Sequence, residues 1–115
     1  NKNAEFDIKQ WEPYQELESH IPVLESLNNV LDFMAANDME TVHGKTQLLI
    51  APGHDFKIVN VLITNFHQPK STLLLLVAAF IGDAWKDVYD YSMKNDFRFL
   101  SYGDSCLFFR SKIID

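Results

Sequence analysis

Four histidines and one cysteine are the residues of this chain best suited to acid–base, nucleophilic or metal chemistry. The histidines show no His-x-His or His-x3-His spacing, so no single helix or strand carries a pair of metal ligands. A lone cysteine excludes an intramolecular disulfide and a cysteine-only zinc site. The sequence therefore predicts neither a metal nor a cofactor. These five residues are His20, His43, His54, His67 and Cys106.

Two of these residues have a catalytic interpretation beside a simpler structural one. His54-Asp55 would be a base oriented by a carboxylate, but the pair lies in a predicted turn, where Asp commonly binds its own backbone. Cys106 would be nucleophilic beside a group that lowers its thiol pKa, yet a lone cysteine is most often a small buried hydrophobe. A small hydrolase using Cys106 or His54 is therefore the third hypothesis for the function.

Acidic residues are concentrated in the first third of the chain. Residues 1–40 hold nine carboxylates against two lysines, a net charge of −7, whereas residues 41–115 hold seven acids against eight bases, a net charge of +1. A field of one sign attracts oppositely charged partners and repels nucleic acid. Arg98, Arg110 and Lys112 stand among phenylalanines, but three cations are too few for a basic nucleic-acid-binding stripe. The sequence predicts no nucleic-acid partner.

Aromatic residues lie among these acids, and aromatics commonly anchor protein interfaces. The pattern predicts a binding surface for a basic protein. An alternative is that the acid only keeps the protein surface well solvated. The candidate binding residues are Glu5, Asp7, Trp11, Glu12, Tyr14, Glu16 and Glu18, with Glu25 and Asp32 at the edge.

The bulk composition is that of a single globular domain spanning residues 1–115. The chain is 47% hydrophobic and 23% charged, and its length allows an independent core. Its first residues show no signal-peptide pattern. The longest apolar run, residues 73–82, is about half of the roughly 20 residues that a membrane span needs. The sequence predicts a cytoplasmic protein that does not bind membranes.

One helix is clearly predicted in the first half of the chain, over residues 22–36. Pro22 suits the first helical position, because its missing N–H would have no helical partner there. Before the helix, residues 6–8 alternate in polarity as a short strand would. The apolar residues of the helix form one stripe of a 3.6-residue period: Val23, Leu24, Leu27, Val30, Leu31 and Met34.

Two hairpins are predicted in the second half. Residues 47–51 and 56–66 flank a Pro-Gly turn, and residues 97–102 and 105–110 flank a two-residue Gly-Asp loop. Both sides of these strands carry bulky apolar residues, so the strands need cover on both faces.

Residues 72–94 are predicted to be one long helix, buried in its first half and amphipathic in its second. On a 100° projection their charged residues fall within one arc and the large apolar residues lie opposite. A buried strand over residues 73–81 followed by a helix is the alternative, with Gly82 as the break. The predicted fold is α+β: one small domain, in the order (β)-α-β-β-α-β-β, with a mostly antiparallel sheet and two main helices.

The leading functional hypothesis is a non-enzymatic bacterial immunity protein or antitoxin that neutralises a basic toxin or nuclease by direct binding. The acid would speed association and the aromatics would anchor the complex. The alternative is a small acidic dimeric chaperone of the secretion type, whose spare apolar sheet face would serve a homodimer or a client.

Overall fold

The computed structural model describes residues 6–15 and 20–110. These residues form an α+β fold with three α-helices and two small two-stranded sheets, which confirms the predicted class. The chain divides into two compact units, Asn1–Leu49 and Ile50–Asp115. The single domain therefore stays a prediction.

The first unit contains a parallel pair of strands. Strand β1, Phe6–Ile8, pairs with β2, Gly44–Thr46, in the register Phe6↔Gly44 and Ile8↔Thr46. A helix, residues 23–36, lies between the two strands along the chain. A crossover connection of this length allows the strands to run parallel. The single, mostly antiparallel sheet predicted from the sequence is therefore wrong.

Helix α1 spans Val23–Ala36, which confirms the predicted helix to within one residue. Pro22 occupies the position just before it, and the Asn37 side chain ends it by donating to the Phe33 carbonyl (2.8 Å). The Phe33 ring meets the Phe6 ring of β1 edge-on at 5.8 Å. No α1 residue is buried, so much of its apolar stripe faces solvent.

The second unit is built on an antiparallel pair of strands. Strand β3, Val61–Asn65, pairs with β4, Ser105–Phe109, so that Val61 opposes Phe109 and Asn65 opposes Ser105. Alternate residues of β4 are buried, as a strand with one covered face requires. The other face of this sheet is apolar and exposed: Val61, Ile63, Leu107 and Phe109.

Both predicted hairpins are wrong, because β3 and β4 pair with each other. Residues 47–51 and 97–102 form no strand in the structure. Residues 56–60 form no strand: the buried Phe56 ring meets Phe80 at 5.1 Å, and Arg110 donates from its guanidinium to the Phe56 carbonyl and from its backbone N–H to the Asn60 carbonyl. Turn residues alone do not distinguish a hairpin from a loop of this kind.

The predicted long helix is in fact two helices. Helix α2 spans Thr72–Ile81 and α3 spans Ala84–Lys94. Gly82 ends α2 at φ 63°, a conformation that glycine adopts without steric cost. Residues 73–81 are therefore helical, and the strand alternative for them is wrong. At the start of α2 the Ser71 hydroxyl accepts from the Leu74 N–H (3.3 Å), a typical N-cap.

The core of the second unit lies between these two helices and the covered face of β3 and β4. Aromatic rings supply most of it. None of the helices in the described ranges has the length and apolarity that a membrane span requires. The buried apolar residues are Phe56, Phe66, Val77, Phe80, Tyr89, Cys106 and Phe108.

Candidate functional site

Two loops meet at one end of the β3–β4 sheet. Residues 66–71 follow β3, and residues 97–104 precede β4. Since Asn65 and Ser105 are opposite each other in an antiparallel pair, both loops must leave the sheet at the same end. We call them the paired loops. They bring together polar side chains that lie about thirty residues apart in the sequence.

Two hydrogen bonds join the second loop to the first loop and to the adjoining end of β3. The Leu100 N–H donates to the Phe66 carbonyl (2.8 Å), and the Asn65 side-chain amide donates to the Gly103 carbonyl (3.5 Å). Beneath them, the Phe66 ring lies 5.3–5.4 Å from the rings of Tyr89, Phe97 and Phe99. Edge-on and tilted ring contacts at these distances are favourable, so a packed aromatic cluster supports the polar residues above it.

His67 is held at both its backbone and its ring. Its N–H donates to the Tyr89 hydroxyl (3.0 Å), and its ring Nε2 lies 2.7 Å from the Thr64 hydroxyl oxygen. Burial lowers the pKa of the His67 imidazole below its ordinary 6.5, because the cationic form loses solvation. The ring is therefore mainly neutral near pH 7, the form that can accept a proton.

Arg98 and Asp104 close the second loop upon itself. The Arg98 N–H donates to the Asp104 carboxylate (2.7 Å), and the Asp104 N–H donates to the Arg98 carbonyl (2.9 Å). The Arg98 guanidinium lies 3.5 Å from the same carboxylate. The backbone hydrogen bond and then the guanidinium charge lower the pKa of Asp104, so the carboxylate stays ionised to lower pH than usual.

Backbone strain is concentrated in and beside these loops. Among the described residues, four non-glycine residues have positive φ, and three of them are Lys70 (64°), Asp96 (56°) and Leu100 (70°). Such conformations cost energy and persist only where the surroundings enforce them, which happens often at functional sites. This strain, together with the polar residues, marks the paired loops as the candidate site.

Gly103 is required by a close approach of the backbone. A Cβ placed there would lie 2.4 Å from the Arg98 carbonyl oxygen, so the loop would have to open to admit it. Gly103→Ala is expected to cost about 1–3 kcal/mol of unfolding free energy, measured by urea denaturation. Ser101→Ala, in the same loop at an exposed position, is the control and should change stability little. Equal stabilities of the two variants would contradict this loop geometry.

The predicted protein-binding residues lie in the first unit. Four of them lie in β1 and at a short 3-10 helix, Glu12–Tyr14. Asp7 is in the strand, Trp11 directly precedes the helix, and Glu12 and Tyr14 are its first and last residues. Lys9 offsets part of the negative charge of this group. Its ammonium pairs with Asp7 (2.5 Å), and its backbone N–H donates to the Glu12 carboxylate (2.8 Å).

The aromatic pair of this group is also engaged within the unit. The Trp11 and Tyr14 rings lie 5.8 Å apart, and the Tyr14 hydroxyl donates to the Leu49 carbonyl (2.9 Å). Glu25 and Asp32 are exposed on α1. Glu5, Glu16 and Glu18 lie outside the described residues, so a protein-binding role for the group stays a prediction.

The two residues of the hydrolase hypothesis lie outside the paired loops. Cys106 is 9% exposed in β4, and burial raises the pKa of its thiol, which disfavours the nucleophilic thiolate. The His54 ring meets the Phe56 ring edge-on at 4.8 Å. The backbone N–H of His54 donates to the Ala51 carbonyl and closes the predicted turn. In the part of the chain that the structure describes, no group of three or more His, Cys, Asp or Glu residues could hold a metal ion.

The sequence patterns assign no role to Asn65 and place Asp104 in a hairpin loop. They count Arg98 only among three cations that are too few for a nucleic-acid-binding stripe. The sequence signal that points to these residues is a set of polar side chains where one apolar run ends and another begins. Its meaning depends on β3 pairing with β4, which the hairpin prediction excluded. Along the chain His67 has no metal-ligand spacing with another histidine, so the sequence predicts no role for it.

The chain belongs to the queuosine biosynthesis protein family, whose model matches residues 19–108 and thus contains both paired loops. Among curated proteins, it is 52% identical over 67 residues to the S-adenosylmethionine:tRNA ribosyltransferase-isomerase of Rhodopseudomonas palustris (strain BisA53), covering 57% of this chain and 19% of that protein. The protein of the same name from Acidiphilium cryptum (strain JF-5) is 47% identical over 85 residues, covering 71% of this chain and 25% of that protein.

A solved structure is similar as well. The S-adenosylmethionine tRNA ribosyltransferase from Thermotoga maritima matches with a TM-score of 0.54 and 51% identity, covering 56% of this chain and 23% of that one. This chain therefore spans about a fifth to a quarter of the length of the relatives that it matches.

These findings overturn the functional hypotheses drawn from composition. The family's relatives are named as enzymes, so the non-enzymatic immunity protein or antitoxin is wrong, as are the chaperone and the small hydrolase. A basic toxin or nuclease as partner is wrong too, and so is the exclusion of nucleic acid, because the relatives are named for tRNA. Net charge is a sum over the whole chain. The negative charge comes from residues 1–40, whereas the rest of the chain is nearly neutral.

Proposed function

We propose that this chain takes part in the transfer of a ribosyl group from S-adenosylmethionine to tRNA, with the paired loops as part of the site. The observation that carries the proposal is the family match over residues 19–108, which includes every residue of both loops. Because the chain spans about a fifth to a quarter of its relatives' length, we assign it a share in the reaction and not the whole of it.

His67 is the candidate proton acceptor of the site. The relatives' name joins a ribosyl transfer to an isomerisation, and proton transfer by a positioned side chain commonly contributes to enzyme reactions of this kind. A neutral imidazole is suited to accept a proton, and burial keeps His67 neutral near pH 7. The hydrogen bond between the ring and Thr64, and that between the His67 backbone N–H and the Tyr89 hydroxyl, would fix the orientation of the imidazole during such a transfer.

Arg98 is the candidate contact for an anionic group of the substrates. Its side chain is 74% exposed although its backbone is fixed by Asp104. Arginine commonly binds nucleic-acid phosphates, and such contacts position a nucleic acid without reading its sequence. A cytoplasmic location belongs to the same proposal, because an enzyme acting on tRNA must share a compartment with it.

The test uses S-adenosylmethionine labelled in its ribosyl group, together with tRNA. We would assay the chain alone and a graft, in which residues 19–108 replace the matching segment of the Thermotoga maritima enzyme. Label transferred to tRNA by the graft, with binding of tRNA or S-adenosylmethionine by the chain itself, would support the proposal. A folded graft that transfers no label, together with a chain that binds neither substrate, would overturn it.

A further inference from the structure

Tyr102 lies at the tip of the second paired loop with its side chain open to solvent. It is 98% exposed, the highest value among the exposed large hydrophobic residues of the described chain. Its aromatic neighbours Phe97 and Phe99 are instead half-buried against Phe66. The tip of the loop therefore contributes nothing to the core, whereas its base does.

The loop that carries Tyr102 is tightly fixed. The Gly103 N–H donates to the Leu100 carbonyl (2.8 Å) and closes a tight turn around Tyr102. Arg98 and Asp104 lock the base of the loop, and the Leu100 N–H ties the turn to Phe66 of the other loop. Leu100 holds φ at 70° to make this possible.

This combination favours binding. Strain and hydrogen bonds hold the turn in place although its tip buries no surface, so packing of the tip does not explain them. An aromatic side chain on a rigid backbone loses little conformational entropy when a ligand covers it. Isolated exposed aromatics are common on protein surfaces. Here the fixed backbone beneath the ring is what indicates a ligand.

We propose that Tyr102 stacks on a nucleobase, either a base of the tRNA or the adenine of S-adenosylmethionine. This inference rests on the proposed function, since both of its substrates contain such rings. Every base offers a flat π-face, and aromatic side chains are the usual platforms for unpaired bases. Arg98, exposed in the same loop, supplies a cation for the phosphates that accompany a tRNA base.

The experiment measures binding by the 115-residue chain, with fluorescence anisotropy for labelled tRNA and calorimetry for S-adenosylmethionine. Tyr102→Ala is expected to weaken binding of one of them about tenfold, because stacking on a base is lost. Tyr102→Phe keeps the ring and should bind within about twofold of wild type. The matched control is Phe109→Ala, which removes an exposed ring at the other end of β4.

The outcomes distinguish a tRNA base from the adenine of S-adenosylmethionine. They also distinguish failure of the stacking role from failure of the proposed function. Weakened tRNA binding alone assigns a tRNA base, and weakened S-adenosylmethionine binding alone assigns adenine. If Tyr102→Ala binds both ligands like wild type, or weakens them no more than Phe109→Ala, the stacking role is wrong and the proposed function stands. A wild-type chain that binds neither ligand overturns the stacking role together with the binding arm of the proposed function.

Discussion

Replacing His67 with alanine is expected to lower ribosyl transfer by about two to four orders of magnitude, the usual contribution of a positioned general base. The effect should appear mainly in kcat, since the imidazole acts on the reacting groups and not on binding. The assay is transfer of labelled ribosyl to tRNA by the graft, with and without the substitution. The exposed His43 of the first unit is the control, and His43→Ala should leave the rate unchanged.

A second substitution separates the catalytic role of His67 from a structural one. His67→Gln can still form a hydrogen bond with the Thr64 hydroxyl, but an amide cannot take up a proton near neutral pH. If His67 only stabilises the loop, the glutamine variant should recover most of the activity that alanine loses. Equal loss in both variants, with both folded, is the result that a proton acceptor requires.

The pH dependence of the reaction provides an independent check. In its proposed role His67 acts as the neutral imidazole, and burial lowers the pKa of the ring from 6.5. Activity should therefore hold above pH 6.5 and decline only at lower pH, as the ring takes up a proton. The acid limb of kcat/KM should be absent from any residual activity of His67→Gln. An acid limb above pH 6.5 in the wild type, or an unchanged limb in the variant, would contradict the assignment.

Local patterns in the sequence predict local structure well and long-range pairing poorly. The α1 prediction is confirmed because its apolar stripe, its proline and its end at Ala36 all lie within fifteen residues. The hairpin predictions are wrong because β-prone runs pair with whichever strand the packing brings to them. Here the run over residues 56–66 forms β3 only from Val61 onward, and it pairs with β4 instead of with residues 47–51.

The sequence predicts less of the candidate site than of the fold, because the site depends on the pairing of β3 with β4. Asn65 and Gly103 meet only when β3 and β4 are neighbours. The pKa shift of His67 comes from burial, which no spacing rule along the chain reports. Overall charge was misleading for a related reason: it describes the acid of residues 1–40, while the paired loops belong to a part of the chain that is nearly neutral.

The largest expected loss of stability comes from replacing Phe66 with alanine. Its ring is 4% exposed and lies 5.3–5.4 Å from the rings of Tyr89, Phe97 and Phe99. Removing a buried phenylalanine typically costs about 3–5 kcal/mol, through lost burial and the cavity left behind. We would measure the unfolding free energy in urea by tryptophan fluorescence, to which Trp85 contributes, since its indole lies 6.1 Å from the Tyr89 ring.

Phe109→Ala serves as the matched control, since it removes the same ring from the exposed face of β4 and should cost less than about 1 kcal/mol. A Phe66→Ala variant as stable as this control would mean that the ring cluster is not packed as described. Phe66 also accepts the Leu100 N–H and directly precedes His67. Loss of its ring should therefore loosen both paired loops, and a folded graft that carries Phe66→Ala should lose ribosyl transfer together with stability.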